Sequence, residues 1–493
     1  MAPPTRPQIE AVVTLPTYLV EYNTGSGWVA VSADWVLDVS GAAESTAGTG
    51  VQFGAEATAK ATIRLDPQAA SIPWEGTRVR ISFGFATSDR VVRFVGVITE
   101  YDRDDEAVVW TAGGFDETIA RTPIFSPLFH RRPAATATSA TSVEDPTSPS
   151  YQAGLVNYIC WQAGGRPYEQ AASYPSATFY YSCGWAPIAP EWSWCGGENA
   201  WDELGRLARS CGMVIFQGAD GVLRAQGALQ LAGTSAYTFT EATYGAIRER
   251  ASRGETCGAV RCRFTARRLQ SHQVVYEDTT PRVLSGLSTL AITIEFQQPV
   301  YDLVFDSGTL LPIGAVNITT LEGKGYSAAA SIANLSATRA TLTIGNDSND
   351  PLVISRIQLR GRPIAPVEDG IAVVGSGTPE REFDGDTGVY VQSRAHAERL
   401  AKLYLDTYAA ARPTRTLSGC GYDPDRTVGE VVGLTNSAWG LSNVAHRITA
   451  IRHADTGATM EVDLTPVAGL VASADVFVIG TSYSSGDTRQ LSY

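Results

Sequence analysis

The residues able to do chemistry are spread along the chain without the spacing that most chemistries need. Histidines stand at His130, His272, His396, His446 and His453. None belongs to a His-Glu-x-x-His pair or a Cys/His ligand pair. His446 and His453 fall in neighbouring strand positions and read as surface or rim histidines. The seven cysteines, at 160, 183, 195, 211, 257, 262 and 420, are odd in number and form no Cys-x-x-Cys. They read as buried thiols, with Cys183 and Cys195 the best candidates for any disulfide. No Gly-x-Ser-x-Gly elbow, Walker loop or complete dinucleotide fingerprint is present. "DGDTG" at Asp384 to Gly388 has the glycines and carboxylates of a calcium loop but lacks the downstream bidentate glutamate, so it reads as a turn.

Two clusters remain. Glu191 and Glu198 flank Trp192 and Trp194, and a carboxylate pair beside stacking aromatics suits glycan hydrolysis or binding. The same tryptophans equally suit packing over a helix and hairpin, or a contact with a neighbouring subunit. "RERASR" and "RFTARR" place basic residues between Arg248 and Arg268. Phosphate would fit them; an acidic surface across a subunit interface fits better. We therefore assign no catalytic, cofactor-binding or metal-binding residue, and expect a protein that is not an enzyme.

The elements that hold these residues are mostly strands. The 493 residues imply several domains, and 44% hydrophobic with 18% charged residues is ordinary globular composition. A net charge of −13 disfavours a protein that grips nucleic-acid phosphates. The start carries no apolar h-region, and no apolar run approaches the ~20 residues of a membrane span. Residues 8–121 read as strands and turns, with an acidic hairpin tip at Asp102 to Glu106. Residues 132–150 read as a loop, and "AGLVNYICWQAGG" as a helix. Asn199 N-caps a helix in which Trp201, Leu204 and Ala208 are expected to be buried. Gly212 then supplies the left-handed C-cap, and a hairpin follows. Residues 270–381 read as a β-sandwich. Ser393 caps a second helix, which Arg412-Pro413 ends.

Two distant pieces share a pattern. "WEGTRVRI" followed by "VVRFVGVITEYDRDDEAVVWTA" matches "TVGEVVGL" followed by "VAHRITAIRHADTGATMEVDLTP". Each has a glycine-led strand, a connection, a strand, an acidic turn and a closing strand. A duplicated small barrel is expected. Three chains would then carry six such barrels, and a closed ring of three would look six-fold to a neighbour.

With these motifs in this order, the chain resembles the central tail-tip and baseplate hub proteins of long-tailed bacteriophages. "VLDVSGAAESTAG", "ATIRLDP" and "VRFVGVITEYD" are similar to the first barrel, and "AWDELGRLARSCGMVIFQGADGVLR" to the helix–hairpin domain. "RATLTIGNDSNDPLVISRIQLRGRPI" is similar to the inserted β-domain. "AHAERLAKLYLDTYAAARPTRTLSG" with "HRITAIRH" is similar to the closing barrel. The implied fold is mainly β with α/β parts. A first barrel spans 1–121, a helix–hairpin α/β domain 122–240 and an inserted β-sandwich 270–381. The second barrel is split between 241–269 and 382–470, with a helix at 393–411, and 471–493 form a tail. The resemblance implies a homotrimeric ring in the virion, joining a hexameric distal tail ring to three-fold tip components. Expected partners are the tape measure protein, tail fibres or other minor tail proteins, and DNA only in transit. No fused lytic or receptor-binding module is expected. The alternative is a cell-wall carbohydrate-active protein.

Overall fold

The computed structural model describes residues 17–45, 54–55, 60–84, 90–114, 123–126, 128–130, 159, 190–219, 221, 223–227, 237–251, 256–303, 316–320, 328–333, 336–383, 389–409, 413–423, 425–453 and 459–467. The turn at Asp384 to Gly388, the loop 132–150, the tail 471–493, Cys160, Cys183 and all of "AGLVNYICWQAGG" except Ile159 lie outside them. Strands dominate the described residues.

The six longer strands of the first half are β1 (Thr17–Asn23), β2 (Val36–Ser45), β3 (Lys60–Leu65), β4 (Arg78–Gly84), β5 (Val91–Arg103) and β6 (Val108–Gly113). Helix α1 follows at Ala200–Cys211. Next come β7 (Ala246–Arg250), β8 (Ala259–Leu269) and the long β9 (Leu352–Gly375). Helix α2 (Arg394–Tyr408) precedes β10 (Thr414–Gly421), β11 (Val431–Asn436), β12 (Leu441–His453) and β13 (Thr459–Pro466).

Alternation of side chains explains why these segments make sheets. Along β3, Ala61, Ile63 and Leu65 are buried while Lys60 and Arg64 face out, the period-2 pattern of a strand over a core. Met460, Val462 and Leu464 do the same in β13. The first core gathers Ile63, Leu65, Val79, Ile81, Phe83, Phe94 and Trp110. A second gathers Phe239, Leu417, Val432, Leu434, Ile448, Ile451 and Val462.

One 13-stranded sheet runs through both halves, in the order β7-β10-β13-β12-β2-β3-β6-β5-β4-β1 and then residues 29–30. Residues 238–239 add to β11 in parallel. The two halves meet where β2 pairs antiparallel with β12. β8, grouped by sequence with the second barrel, pairs instead with β9 and lies in a separate 7-stranded sheet. That sheet and a 3-stranded sheet share a core of Ile292, Ile294, Leu342, Ile344, Leu352, Ile354 and Leu359, the arrangement of a sandwich. Asn346, in an Asn-x-Ser triplet, is buried there, its amide donating to Ser285 O and Asp350 O.

Both helices start and stop where short-range chemistry dictates. Ser393 Oγ accepts the His396 amide at 3.1 Å. Asn199 occupies the N-cap of α1 in extended geometry. Its side chain makes no cap bond; its Nδ2 donates to Asp202 Oδ2 at 3.2 Å. Gly212 ends α1 at φ 64°, ψ 39°. Leu204 and Ala208 are fully buried, whereas Trp201 is only half-buried and lies against the second core. The expectation that Trp201 is buried is thus corrected. It sits one position from the helix N-terminus and packs only in part against that core. Leu204 is the better probe. Leu204→Ala is expected to cost about 2–5 kcal/mol, read from urea unfolding; a cost under about 1 kcal/mol would contradict its place in the core.

Candidate functional site

The halves correspond closely over the turns at Gly76 and Gly429 and the strands that follow them. Gly76 and Gly429 both take positive φ, 66° and 88°, a conformation in which a Cβ is strained. Each closes an equivalent turn: Thr77 N donates to Trp74 O, and Glu430 N to Thr427 O. Each next carbonyl then accepts from the following long strand, Thr77 O from Ile98 N and Glu430 O from Ile448 N, both at 2.9 Å. β5 and β12 each have 13 residues, and each is bulged once against the strand that follows it, β6 or β13, between Ile98 and Glu100 and between Ile448 and Ala450. The bulged residue is threonine in both. Thr99 Oγ1 donates to Thr111 O at 3.1 Å, and Thr449 Oγ1 to Asp463 O at 3.2 Å. The register therefore aligns Phe94 with Val444, Ile98 with Ile448, Tyr101 with Ile451 and Asp102 with Arg452.

Five strands share one order: β2-β3-β6-β5-β4 in the first half, β7-β10-β13-β12-β11 in the second. The sixth element differs, since β1 is antiparallel to β4 while residues 238–239 are parallel to β11. Bulges re-aim a strand at a fixed place, so two matching bulges with the same side-chain bond make this one design used twice.

The seam between the halves is the most built polar site among the described residues. Ala43, Glu44 and Ser45 of β2 lie opposite Arg452, Ile451 and Ala450 of β12. Beside them, Arg93 of β5 is 2% exposed and reaches the loop after β10. Its Nη1 donates to Arg426 O at 3.0 Å, its Nη2 to Asp423 O at 3.2 Å and its Nε to the Tyr422 hydroxyl at 3.4 Å. Tyr422 Oη in turn donates to Phe83 O at 3.3 Å. Carbonyl dipoles thus solvate the cation, with a planar donor set matched to three acceptors. The loop is held by its own ion pairs: Arg426 Nε to Asp423 Oδ2 at 3.1 Å, and Arg426 to Glu430. Burial pushes the Glu430 carboxyl up, against the pull of Arg426.

His453 stacks on Phe83 at 5.3 Å. Burial, then the nearby Arg93, pushes its imidazole down to about 3. His446 is pushed down to about 4, mainly by burial. Arg415, which can only donate, meets its Nε2, so Nδ1–H donates to Val444 O at 2.7 Å, the neutral tautomer. Both rings were expected at the surface or rim. The structure buries both because each lies on the inward side of β12, a long strand with cores on either side of the seam.

The helix–hairpin unit braces this seam. Val214 and Phe216 join the second core, while Gln217 Nε2 donates to Val95 O of β5 at 2.9 Å. Residues 54–55 add a parallel strand to the hairpin.

The other candidate residues do not converge. Trp192 and Trp194, 4% and 6% exposed, pack with Ala337 and Ile364 rather than lining a sugar cleft. Tyr301 meets Trp192 edge-on, and Arg267 covers Trp194. Glu198 faces solvent, 3.7 Å from Arg206, and Glu191 is also exposed. A buried group that sequence did not reveal lies beneath: Glu203 bonds to Arg206 at 3.0 Å and to the Tyr390 hydroxyl. Glu203 reads as a first-turn acid in α1, and only the tertiary partner Tyr390 marks it as internal. Burial, then Glu203, raises Tyr390 well above its ordinary range, and burial first also raises the Cys195 thiol. Cys195, Cys211, Cys257, Cys262 and Cys420 are buried thiols outside any disulfide. Burial pushes Cys262 and Cys420 up to about 12, so they stay protonated thiols. The basic run is divided: Arg248 and Arg250 lie on β7, while Arg261 and Arg263 on β8 pair with Glu380 and Glu382. Among the described residues no group of three His, Cys, Asp or Glu side chains is arranged to hold a metal, and no helix is long and apolar enough to cross a membrane.

No family model and no curated protein matches the chain. Among solved structures, the 43 kDa tail protein of prophage MuSo2 from Shewanella oneidensis is similar at 10% identity and a TM-score of 0.45, over 92% of this chain and 99% of that one. A chain of the virion of a native gene transfer agent particle is similar at 12% identity and a TM-score of 0.32, over 89% and 87%. Both likenesses are slight, and the functional reading rests on the strand pairing and on the resemblance drawn from the sequence.

Proposed function

We propose that this chain is the structural hub of a phage tail tip, a homotrimer whose six half-units form a pseudo-six-fold ring. In this reading the first barrel is β1 to β6 and the second is β7 with β10 to β13, with the sandwich inserted between them. The ring joins a hexameric tail above to three-fold components below. It holds the end of the tape measure protein and lets DNA pass without gripping it, in keeping with the net charge of −13. The hub has no catalytic role of its own.

One observation carries the reading: the matched bulge, turn and strand order of the two halves. A chain with two equivalent units has a physical use for them where a partner presents six-fold symmetry and the chain itself assembles three-fold. The burial of Trp192 and Trp194 removes the stacking surface on which the carbohydrate-active alternative depended.

The test is the mass in solution by sedimentation equilibrium. A species of three times the 52.5 kDa chain mass is expected. A dimer, or a monomer at every concentration up to the solubility limit, would contradict the reading.

A further inference from the structure

The seam within the chain has an unused counterpart. Among the described residues β2 has two neighbours, β3 on one side and β12 on the other, and its equivalent β7 has one, β10. Likewise β12 gives residues 450–452 to β2, on the edge that β11 leaves open. The equivalent edge of β5, residues 100–102, lies beyond the reach of β4, whose pairing ends at Val97. Burial reports the difference. Thr449, Ala450 and Ile451 are buried, whereas Thr99 and Glu100 are exposed and Tyr101 is half-exposed. Among the described residues one half of the chain has a strand on this edge and the other has none, which leaves a template for another strand.

We propose that the end of β7 in one copy, at Arg250 with Ala251 beyond it, pairs antiparallel with Asp102 and Tyr101 of β5 in a second copy, repeating between chains the β2–β12 seam made within one. The inference rests on the ring reading above and names the contact that closes it. The register follows without adjustment. Ala43 opposes Lys60 and Arg250 opposes Thr414, at equivalent places. Ala43 also opposes Arg452, whose equivalent is Asp102. Arg250 therefore faces Asp102 of the next copy, and Ala251 faces its Tyr101. Like charge does not oppose like there. Arg248 and Arg250 are exposed on β7, and Glu100 and Asp102 are exposed on β5. Among the described residues none of these four has an ion-pair partner. Trp74, 39% exposed and stacked on Tyr101 at 5.6 Å, supplies an apolar anchor beside the charges, the composition of an interface centre. The contact is heterologous, β7 to β5, so each copy keeps one free edge of each kind until the ring closes.

The experiment uses the full chain with Asp102→Cys and Arg250→Cys together. Both positions are exposed, so neither change disturbs a core. Opposed residues of antiparallel strands lie within disulfide reach. Mild oxidation is expected to convert most of the protein into a covalent species of three chains on a non-reducing gel, with either single variant giving none. Sedimentation of the wild type accompanies it. A wild-type trimer without crosslinking overturns the seam and leaves the ring reading standing. A wild type that is not a trimer overturns the ring reading and the seam with it. Charge reversal gives a second readout: Asp102→Arg is expected to weaken the trimer about tenfold or more, and adding Arg250→Asp to restore it to within about threefold. Loss without restoration assigns Asp102 another role and contradicts the pairing.

Discussion

Arg93→Ala is expected to cost about 3–5 kcal/mol, close to half the stability of a typical domain. The guanidinium is buried and bonds two backbone carbonyls and a hydroxyl. Removing it leaves Arg426 O and Asp423 O without their charged donor in a place that water reaches poorly. It also frees Tyr422, which ties the loop to Phe83 of the other half. Arg93→Lys keeps the charge but offers no planar fork, and an intermediate loss of about 1–3 kcal/mol is expected. Urea unfolding of the full chain measures both. A cost under about 1 kcal/mol for Arg93→Ala would show that the halves are held by strand pairing alone.

Acid should weaken the fold above the range in which carboxylates ordinarily titrate. His446 and His453 are held neutral in the folded chain, at about 4 and about 3, against 6.5 for a free histidine. Below 6.5 the unfolded chain takes up protons that the folded chain refuses. The stability that the neutral rings provide is complete above pH 6.5 and is lost as pH falls through that value toward 4 and 3. Each ring contributes a slope of at most about 1.4 kcal/mol per pH unit. Between pH 6.5 and 4.5 the free energy of unfolding is expected to fall by several kcal/mol in total. His453→Phe keeps the stack on Phe83 without a proton to bind, and should remove about half of that slope. A flat profile over this interval would contradict the burial of both rings.

Part of this fold is legible in the sequence, for local reasons. Gly76 and Gly429 stand before strands in similar surroundings, and a turn needing positive φ leaves a visible glycine. Ser393 and Gly212 mark helix ends because a single residue satisfies or terminates the backbone there. The acidic tip at Asp102 to Glu106 is a turn signal, and Asp104 Oδ1 does accept the amides of Glu106 and Ala107. What was not legible depends on partners far along the chain. A threonine within a strand gives no sign of a bulge, so Thr99 and Thr449 are identified only by their register. Nothing around Arg93 in the sequence marks it as internal; only its bonds to Tyr422, Asp423 and Arg426, far along the chain, do so. His446 and His453 read as surface residues because one strand does not reveal that cores flank it. β8 reads as part of the second barrel by proximity, and only its long pairing with β9 places it elsewhere. The tryptophans at 192 and 194 resemble a sugar platform because sequence does not show the sandwich that covers them.

The most direct measurement is an image reconstruction of the assembled protein, free or in a tail, with the positions of Gly76 and Gly429 assigned in each copy. Six barrel-like units at one radius about a common axis are expected, first and second halves alternating around it. Two halves at clearly different radii, or an assembly whose copies do not number three, would contradict it.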